Sequence, residues 1–88
     1  MTSKERARLK GLASTAETIV QIGKSGITEN VVASVDAALT ARELVKGKVL
    51  ESSMLTARAA CEQLAEALGA EAVQAIGTKF VLYRRKPE

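Results

Sequence analysis

The residues best suited to chemistry are the two glycines, the lysine and the serine of Gly23-Lys24-Ser25-Gly26. The β-branched run Thr18–Ile22 before them predicts a buried strand, and Thr28 after them is a typical helix N-cap. Glycine lets the backbone turn sharply and lets a ligand approach closely. The N–H groups at a helix N-terminus are unpaired and partly positive, so they attract phosphate. We therefore expect the backbone N–H groups of Lys24 to Ile27 to bind a phosphate, with the Lys24 ammonium beside it.

Enzymatic chemistry has little support in the composition. The sequence contains no histidine and a single cysteine, Cys61, so it lacks a Ser-His-Asp or Cys-His arrangement and a zinc site of the usual composition. Glu62 and Glu66 lie one turn apart on a predicted helix, which suits a solvated face better than an acid/base pair in a cleft. We expect no catalytic residue, no metal, no cofactor and no enzymatic activity. Cys61 is expected to pack in the core.

A nucleotide-binding loop is the sharper alternative, because Gly23-Lys24-Ser25 looks like the end of a P-loop. That motif needs another glycine five residues before Gly23, and Thr18 occupies this position. The loop is also too short to wrap a triphosphate. A small-molecule substrate is therefore not expected, and the remaining alternative is a plain strand-to-helix turn whose glycines serve geometry alone.

The positive charge is concentrated near the two ends of the chain. The net charge is only +3, but the first ten residues hold four basic side chains and one acid. Lys79 to Lys86 holds four basic side chains and no acid. Such clusters are often only a solvated face, so they indicate an acidic partner only if folding brings them together.

Length and hydropathy predict one compact domain spanning residues 1–88, because 47% hydrophobic and 26% charged residues fit a globular protein. No apolar stretch approaches the ~20 residues of a membrane span, and the N-terminal residues lack the apolar core of a signal peptide. We expect a cytoplasmic monomer without a membrane partner.

Three helices are predicted from their caps and apolar stripes. The first begins after Thr2, which forms a capping box with Glu5, and runs to about Ala13 with Leu9, Leu12 and Ala13 buried. The second spans Glu29 to Arg42, with its apolar stripe formed by Val31, Val35, Ala38 and Leu39. The third is capped by Ser52 or Ser53 and ends at Gly69, and its stripe consists of Met54, Ala57, Cys61, Leu64 and Leu68.

Four strands complete the prediction. They are Thr18 to Ile22, Glu43 to Leu50, Glu71 to Ile76 and Lys79 to about Arg84, with a II′ turn at Gly77-Thr78 between the last two. Alternation puts Val45, Gly47 and Val49 on one face of the second strand, and Leu44, Lys46, Lys48 and Leu50 on a partly solvated face. The order α-β-α-β-α-β-β predicts an α/β fold with a four-stranded mixed sheet.

With these motifs in place, the chain resembles the bacterial stand-alone CRM domain, the YhbY-like family of RNA-binding, ribosome-associated proteins. The matching segments occur in the family's order and cover nearly the whole chain: Leu9-Lys10-Gly11-Leu12-Ala13, Ile22 to Thr28, Glu43-Leu44-Val45-Lys46, Ile76-Gly77 and Val81-Leu82-Tyr83-Arg84. Gly47 departs from the pattern, because an apolar residue is expected there, and this puts the local stability of the strand in doubt.

The resemblance implies a fold similar to the C-terminal domain of bacterial translation initiation factor three. It also implies association with ribosomal RNA in precursors of the large ribosomal subunit, through a GxxG loop used much as KH domains use theirs. The contacts that it implies are Gly23, Lys24, Ser25 and Gly26, with Lys10 and Arg84 as basic support.

The residues themselves extend this surface to Lys46, Lys48 and Lys79, if the fold aligns them. Contacts of this kind read RNA shape and backbone rather than base sequence. Phe80 is expected in the core and Tyr83 on the opposite face, where it is open to a base. A protein-interaction module that docks on a ribosomal protein or assembly factor is the alternative. The predicted RNA-binding residues are Lys10, Gly23, Lys24, Ser25, Gly26, Lys46, Lys48, Lys79 and Arg84.

Overall fold

The computed structural model describes residues 2–85; residue 1 and residues 86–88, including the end of the C-terminal basic stretch, lie outside the described residues. The predicted order of elements is confirmed: α1 (Ser3–Ala13), β1 (Thr18–Ile22), α2 (Glu29–Arg42), β2 (Leu44–Val49), α3 (Ala57–Leu68), β3 (Glu71–Ile76) and β4 (Lys79–Tyr83), with a 3₁₀ turn at Glu51–Ser53. None of the helices among residues 2–85 is long and apolar enough to cross a membrane.

The four strands form one mixed sheet in the order β1-β2-β4-β3. β1 and β2 are parallel, as the intervening helix α2 requires, whereas β4 is antiparallel to both β2 and β3. The turn between β3 and β4 begins at Gly77, whose φ of 61° suits the first position of a II′ turn. The predicted mixed sheet is therefore confirmed.

Helices cover the two faces of the sheet unequally. The face covered by α2 and α3 holds the larger core, which consists of Val20, Ile22, Val35, Leu39, Val45, Val49, Ala57, Ala60, Cys61, Leu64, Phe80 and Leu82. On the other face α1 packs through Leu9 and Ala13 against Val73 and Val81, with Leu44 and Tyr83 at the margin. The predicted alternation along β2 is confirmed, since Val45 and Val49 belong to the first core and Leu44 to the second.

Two predicted caps are present as hydrogen bonds. The Thr2 hydroxyl accepts from the Glu5 N–H at 3.1 Å, and the Thr28 hydroxyl accepts from the Val31 N–H at 3.2 Å. Each bond satisfies an N–H group that the first helical turn leaves unpaired. The positions at which α1 and α2 begin are thus local properties of the sequence.

The predicted start of the third helix is wrong. α3 is capped by Thr56, whose hydroxyl accepts from the Ala59 N–H at 3.0 Å. The Ser53 hydroxyl instead donates to the Leu50 carbonyl at 2.7 Å, which closes the 3₁₀ turn. Met54 follows in the left-handed region with φ of 61° and is 92% exposed, so it belongs to no helical stripe.

Two further expectations also need correction. Leu12 is 52% exposed, because α1 rests on the sheet through only one or two side chains per turn, Leu9 and Ala13. Glu43 does not begin β2; its φ of 64° places it at the C-terminal end of α2, where its N–H donates to the Leu39 carbonyl at 2.9 Å.

Gly47 makes room for the largest side chain of the core. It lies opposite Phe80 in the β2–β4 pair, and a Cβ on Gly47 would come within 2.3 Å of the Phe80 Cζ atom. Because the Phe80 ring is fully buried, it has little space to move away. The Phe80 ring of the neighbouring strand therefore fills the space that an apolar side chain at position 47 would occupy.

Arg84, just after β4, connects this strand to α2 and α3. Its guanidinium donates to the Leu68 carbonyl at the end of α3 at 3.0 Å and to the Thr40 hydroxyl at 3.0 Å. It also donates to the Asp36 carbonyl at 3.1 Å and forms an ion pair with the Asp36 carboxylate at 2.8 Å. With the side chain only 23% exposed, this arrangement joins α2 and α3 to the sheet.

We predict that Gly47→Ala lowers the free energy of unfolding by about 1–3 kcal/mol, because the new Cβ overpacks the core against Phe80. Gly11→Ala is the matched control, since a Cβ added at position 11 would meet no neighbouring heavy atom within 4 Å, and we expect it to stabilise α1 by about 0.5–1 kcal/mol. Urea denaturation measures both. Equal stability of the two variants would contradict the packing role of Gly47.

We predict that Arg84→Ala lowers the free energy of unfolding by about 1–3 kcal/mol, because the Leu68 carbonyl and the Asp36 carboxylate lose a charged donor. Arg84→Lys should recover only part of this, since an ammonium cannot reproduce the planar fork. The neighbouring exposed Arg85 serves as the control, and Arg85→Ala should change stability by less than about 0.5 kcal/mol. If thermal unfolding does not separate the Arg84 and Arg85 variants, the structural role of Arg84 is wrong.

Cys61 is buried, and its burial raises the pKa of the thiol to about 11 from an ordinary value of 9.0. The neutral thiol is thus favoured in the folded state, and this contribution to stability is complete below pH 9 and is lost as the pH rises from 9 to 11. We predict that stability falls more steeply over this range in the wild type than in Cys61→Ala. Parallel pH series of denaturation curves test this, and identical slopes would contradict it.

Candidate nucleic-acid interface

The Gly23–Gly26 segment is a tight turn between β1 and α2. The Gly26 N–H donates to the Gly23 carbonyl at 2.9 Å. Gly26 has a φ of 70°, which residues other than glycine rarely adopt. Lys24 and Ser25 occupy the two central positions and are exposed, whereas Gly23 and Gly26 are half-buried. The turn therefore presents the lysine and the serine at its tip.

The turn leaves part of its backbone free to bind an anion. Within residues 2–85, the N–H groups of Lys24, Ser25 and Ile27 donate to no protein oxygen. The Gly26 N–H is used by the turn itself, so the expectation that every N–H from Lys24 to Ile27 is available is wrong by one group. The three remaining groups precede the N-terminus of α2, whose partial positive charge favours an anion.

Backbone hydrogen bonds place the glycine turn at one end of the sheet, where β1 and β2 both terminate. The Leu50 N–H donates to the Ile22 carbonyl at 2.8 Å, so the chain leaves β2 beside the end of β1. The Val49 N–H donates to the Thr78 carbonyl at 2.8 Å, which brings the β3–β4 turn to the same end of the sheet. The glycine turn, the end of β2 and the β3–β4 turn thus lie together.

A row of four residues, one from each strand, crosses the sheet next to this end. Lys48 pairs with Gln21 of β1 and with Lys79 of β4, and Lys79 pairs with Ile76 of β3. Phe80 belongs to the core beneath α2 and α3, so the adjacent Lys79 and its partners in the row lie on the face that α1 covers in part. We call Gln21, Lys48, Lys79 and Ile76 the lysine row.

The structure thus brings Lys24, Lys48 and Lys79 to one end of the domain. Alternation along β2 predicts Lys48 on a partly solvated face, and Lys79 is predicted only as a basic residue that the fold could align. The sequence gives no signal that the two are cross-strand neighbours. Gln21, which is exposed, and Ile76, which is 66% exposed, complete the row and were not among the predicted site residues. Their outward orientation follows from alternation, whereas their alignment depends on strand register.

Lys10 and Lys46 lie on the same side of the sheet but belong to the region of α1. The Lys46 Nζ donates to the Ala13 carbonyl at 3.3 Å, at the C-terminal end of α1, where helix carbonyls lack partners. Lys46 is half-buried and therefore holds α1 against β2. Lys10 is exposed on α1.

Arg84 does not join the glycine turn. β4 is antiparallel to β2, so Tyr83 pairs with Leu44 at the start of β2, and Arg84 lies at the end of the sheet opposite the turn. Its guanidinium is already bonded to α2 and α3, as described above. Tyr83 also lies at that end, half-buried, with its hydroxyl 3.4 Å from a Glu43 carboxylate oxygen.

Comparison with known proteins assigns the chain to a family. The sequence model of the CRS1 / YhbY (CRM) domain matches residues 1–84. The chain is 33% identical over 88 residues to YqeI of Bacillus subtilis, covering 92% of that protein, and 35% identical over 88 residues to a protein of Haemophilus influenzae, covering 89% of it. Both alignments include the whole of this chain; the first relative bears the name "Probable RNA-binding protein YqeI" and the second the name "RNA-binding protein".

A solved structure has the same fold. The solution structure of SAV1595 from Staphylococcus aureus superposes with a TM-score of 0.80 at 37% identity, over 100% of this chain and 92% of that one. This solved structure supports the fold described above. The chain therefore belongs to the CRS1 / YhbY (CRM) domain family.

Proposed function

We propose that this domain binds the phosphate backbone of RNA, and that the glycine turn and the lysine row form one continuous binding surface. The observation that carries the proposal is that three lysines and three free N–H groups occupy one end of the domain: Lys24 at the tip of the turn, and Lys48 and Lys79 beside each other on the sheet. The RNA-binding names of the relatives support RNA as the polyanion.

In the proposed mechanism a phosphate lies against the N–H groups of Lys24, Ser25 and Ile27, where the N-terminus of α2 favours negative charge. The Lys24 ammonium pairs with that phosphate or its neighbour, and the lysine row binds the phosphates that follow. Gly23 and Gly26 allow the turn and the close approach. Lys10 and Lys46 extend the positive surface over α1, whereas Arg84 acts through the fold.

These contacts recognise the shape and charge of RNA rather than its bases. We further propose that the RNA is ribosomal RNA in precursors of the large subunit, bound in the cytoplasm by a monomer that has no enzymatic activity. A fold relationship to the C-terminal domain of translation initiation factor three stays a prediction. In the alternative, the same surface docks on a ribosomal protein or an assembly factor, and the turn has a structural role only.

We predict that Lys24→Glu weakens RNA binding by about tenfold or more, because it replaces a cation beside the phosphate with an anion. It should also reduce the slope of log affinity against log salt concentration by about 1. Fluorescence anisotropy with a labelled RNA hairpin at several salt concentrations measures both. Lys24 is exposed at the tip of the turn, so unfolding curves should not change.

Arg58→Glu is the matched control, because it reverses the same charge on α3, on the other side of the sheet. The substitution breaks the Arg58–Glu62 pair, but both side chains are exposed, so the loss of stability is small, and position 58 lies in the first turn of α3, where the dipole favours an acidic residue. Equal RNA affinities for the two variants would contradict RNA binding through the glycine turn.

Sedimentation of a cell lysate at low salt tests the ribosomal assignment. We predict that the wild type migrates with precursors of the large subunit and that Lys24→Glu stays at the top of the gradient. If both proteins stay at the top, the ribosomal assignment is wrong. If both migrate with the precursors, the protein-docking alternative is favoured.

A further inference from the structure

A second basic site lies at the end of the sheet opposite the glycine turn. Here a cavity of about 560 Å³ opens between α1 and the C-terminal end of β4, with Arg85 beyond the strand. Three of its side chains are cationic, and two give it an apolar floor, because Leu9 is buried and Tyr83 is half-buried. The complete lining is Lys4, Glu5, Arg8, Leu9, Tyr83 and Arg85.

The three cations of this cavity outnumber its one acid, Glu5. Among residues 2–85, ion pairs are found only at Arg58–Glu62 and Arg84–Asp36, so Lys4, Arg8 and Arg85 are not paired with an acid. Lys4 and Arg8 are one turn apart on α1, where like charges repel each other. The helix dipole also disfavours Lys4, which lies in the first turn of α1. An anion bound between Lys4 and Arg8 would relieve this repulsion.

The cavity and the glycine turn belong to one extended positive surface. α1 lies on the same face of the sheet as the lysine row, and it carries the exposed Lys10 between Arg8 of the cavity and Ala13, which Lys46 contacts. Strand β4 runs from Lys79 in the row to Tyr83 in the cavity, a distance of about 13 Å at the rise of a β-strand. A ligand with regularly spaced negative charges can therefore reach both ends of the sheet.

The chemistry of the cavity fits a nucleotide better than an acidic side chain. Three cations suit a phosphate and its neighbours, while the Leu9 and Tyr83 floor offers an apolar surface to a ribose or a base. The Tyr83 hydroxyl lies 3.4 Å from a Glu43 carboxylate oxygen, a contact that orients the ring at the cavity. An acidic side chain would pair with the cations but would leave this floor without a partner.

We propose that the cavity formed by Lys4, Arg8, Arg85 and Tyr83 is a second RNA site, so that the domain holds two segments of one RNA at opposite ends of its sheet. Arg8 and Arg85 bind phosphates, and Tyr83 packs against a ribose or base. This inference rests on the RNA binding proposed for the glycine turn.

The test compares RNAs that reach one or both sites, using the full chain. Domains that follow single strands have site sizes of about 4–16 nucleotides, so we choose oligouridines of about 4 and about 20 nucleotides. The variant Arg8→Ala/Arg85→Ala removes two charges at the cavity, and Arg42→Ala/Arg58→Ala removes two exposed charges elsewhere as the matched control. Lys24→Glu reports on the glycine turn.

We expect the cavity variant to bind the long RNA about 100-fold more weakly than the wild type, because the avidity of two linked contacts is lost. Its slope of log affinity against log salt should fall by about 1.4, since each contact to a single strand contributes about 0.7. The control variant should lose much less. Saturation with the short RNA should shift two separate groups of backbone amides in NMR spectra, at residues 24–27 and around the cavity, and the cavity variant should lose only the second group.

Other outcomes separate the two proposals. If the cavity variant binds the long RNA like the control while Lys24→Glu weakens binding, the second site is wrong and the glycine turn stands. If the cavity variant weakens binding and Lys24→Glu does not, the proposed function of the turn is wrong. If RNA binding is unchanged by the cavity variant but binding of poly-glutamate is lost, the cavity is a site for an acidic protein, and the RNA assignment is overturned.

Discussion

The packing of the Phe80 ring onto Gly47 is the contact on which the rest of the domain depends. It lies in the middle of the β2–β4 pair, and the ring fills the core beneath α2 and α3. A slip of one residue between these strands would turn every side chain to the other face and move the ring out of the core. Because this contact fixes the register, it also decides that Lys48 lies opposite Lys79 at one end and Leu44 opposite Tyr83 at the other.

The same contact separates two sides of very different electrostatic character. On the side of α2 and α3, Arg58 is paired with Glu62 and Arg84 with Asp36, whereas the exposed Arg42 of α2 has no ion pair among residues 2–85. On the side of α1, the lysines and arginines face solvent or a helix terminus, and the charge there is available to a ligand. A modest net charge of +3 therefore conceals a strongly polarised surface.

The elements could be predicted from the sequence wherever the signal is local. The caps at Thr2 and Thr28, the β-branched strand before the glycine turn, and Gly69 after α3 each depend on residues a few positions away, and each was found where expected. The predicted start of α3 was wrong because the sequence before it offers more than one cap. Ser52, Ser53 and Thr56 are all good caps, and the choice of Thr56 depends on Ser53 being used by the 3₁₀ turn.

In the candidate site, too, only the local features could be predicted from the sequence. The glycine turn is a local feature and could be predicted, whereas the alignment of Lys48 with Lys79 depends on pairing between distant strands. The role of Arg84 was equally hidden, because its bond to Asp36 joins residues 48 positions apart and its charge alone indicates a surface ligand. The cavity between α1 and Arg85 joins the two ends of the described chain, which no window along the sequence brings together.

The slender attachment of α1 has a consequence for the energetics of binding. This helix is held by two buried side chains, Leu9 and Ala13, and by the bond from Lys46, far less than the packing that secures α2 and α3. Segments with few buried contacts open at a lower free energy than the whole domain unfolds. A ligand that bridges α1 and the end of β4 binds only the closed form, so it must stabilise that form by mass action. The affinity for such a ligand would therefore be coupled to the docking of α1 on the sheet.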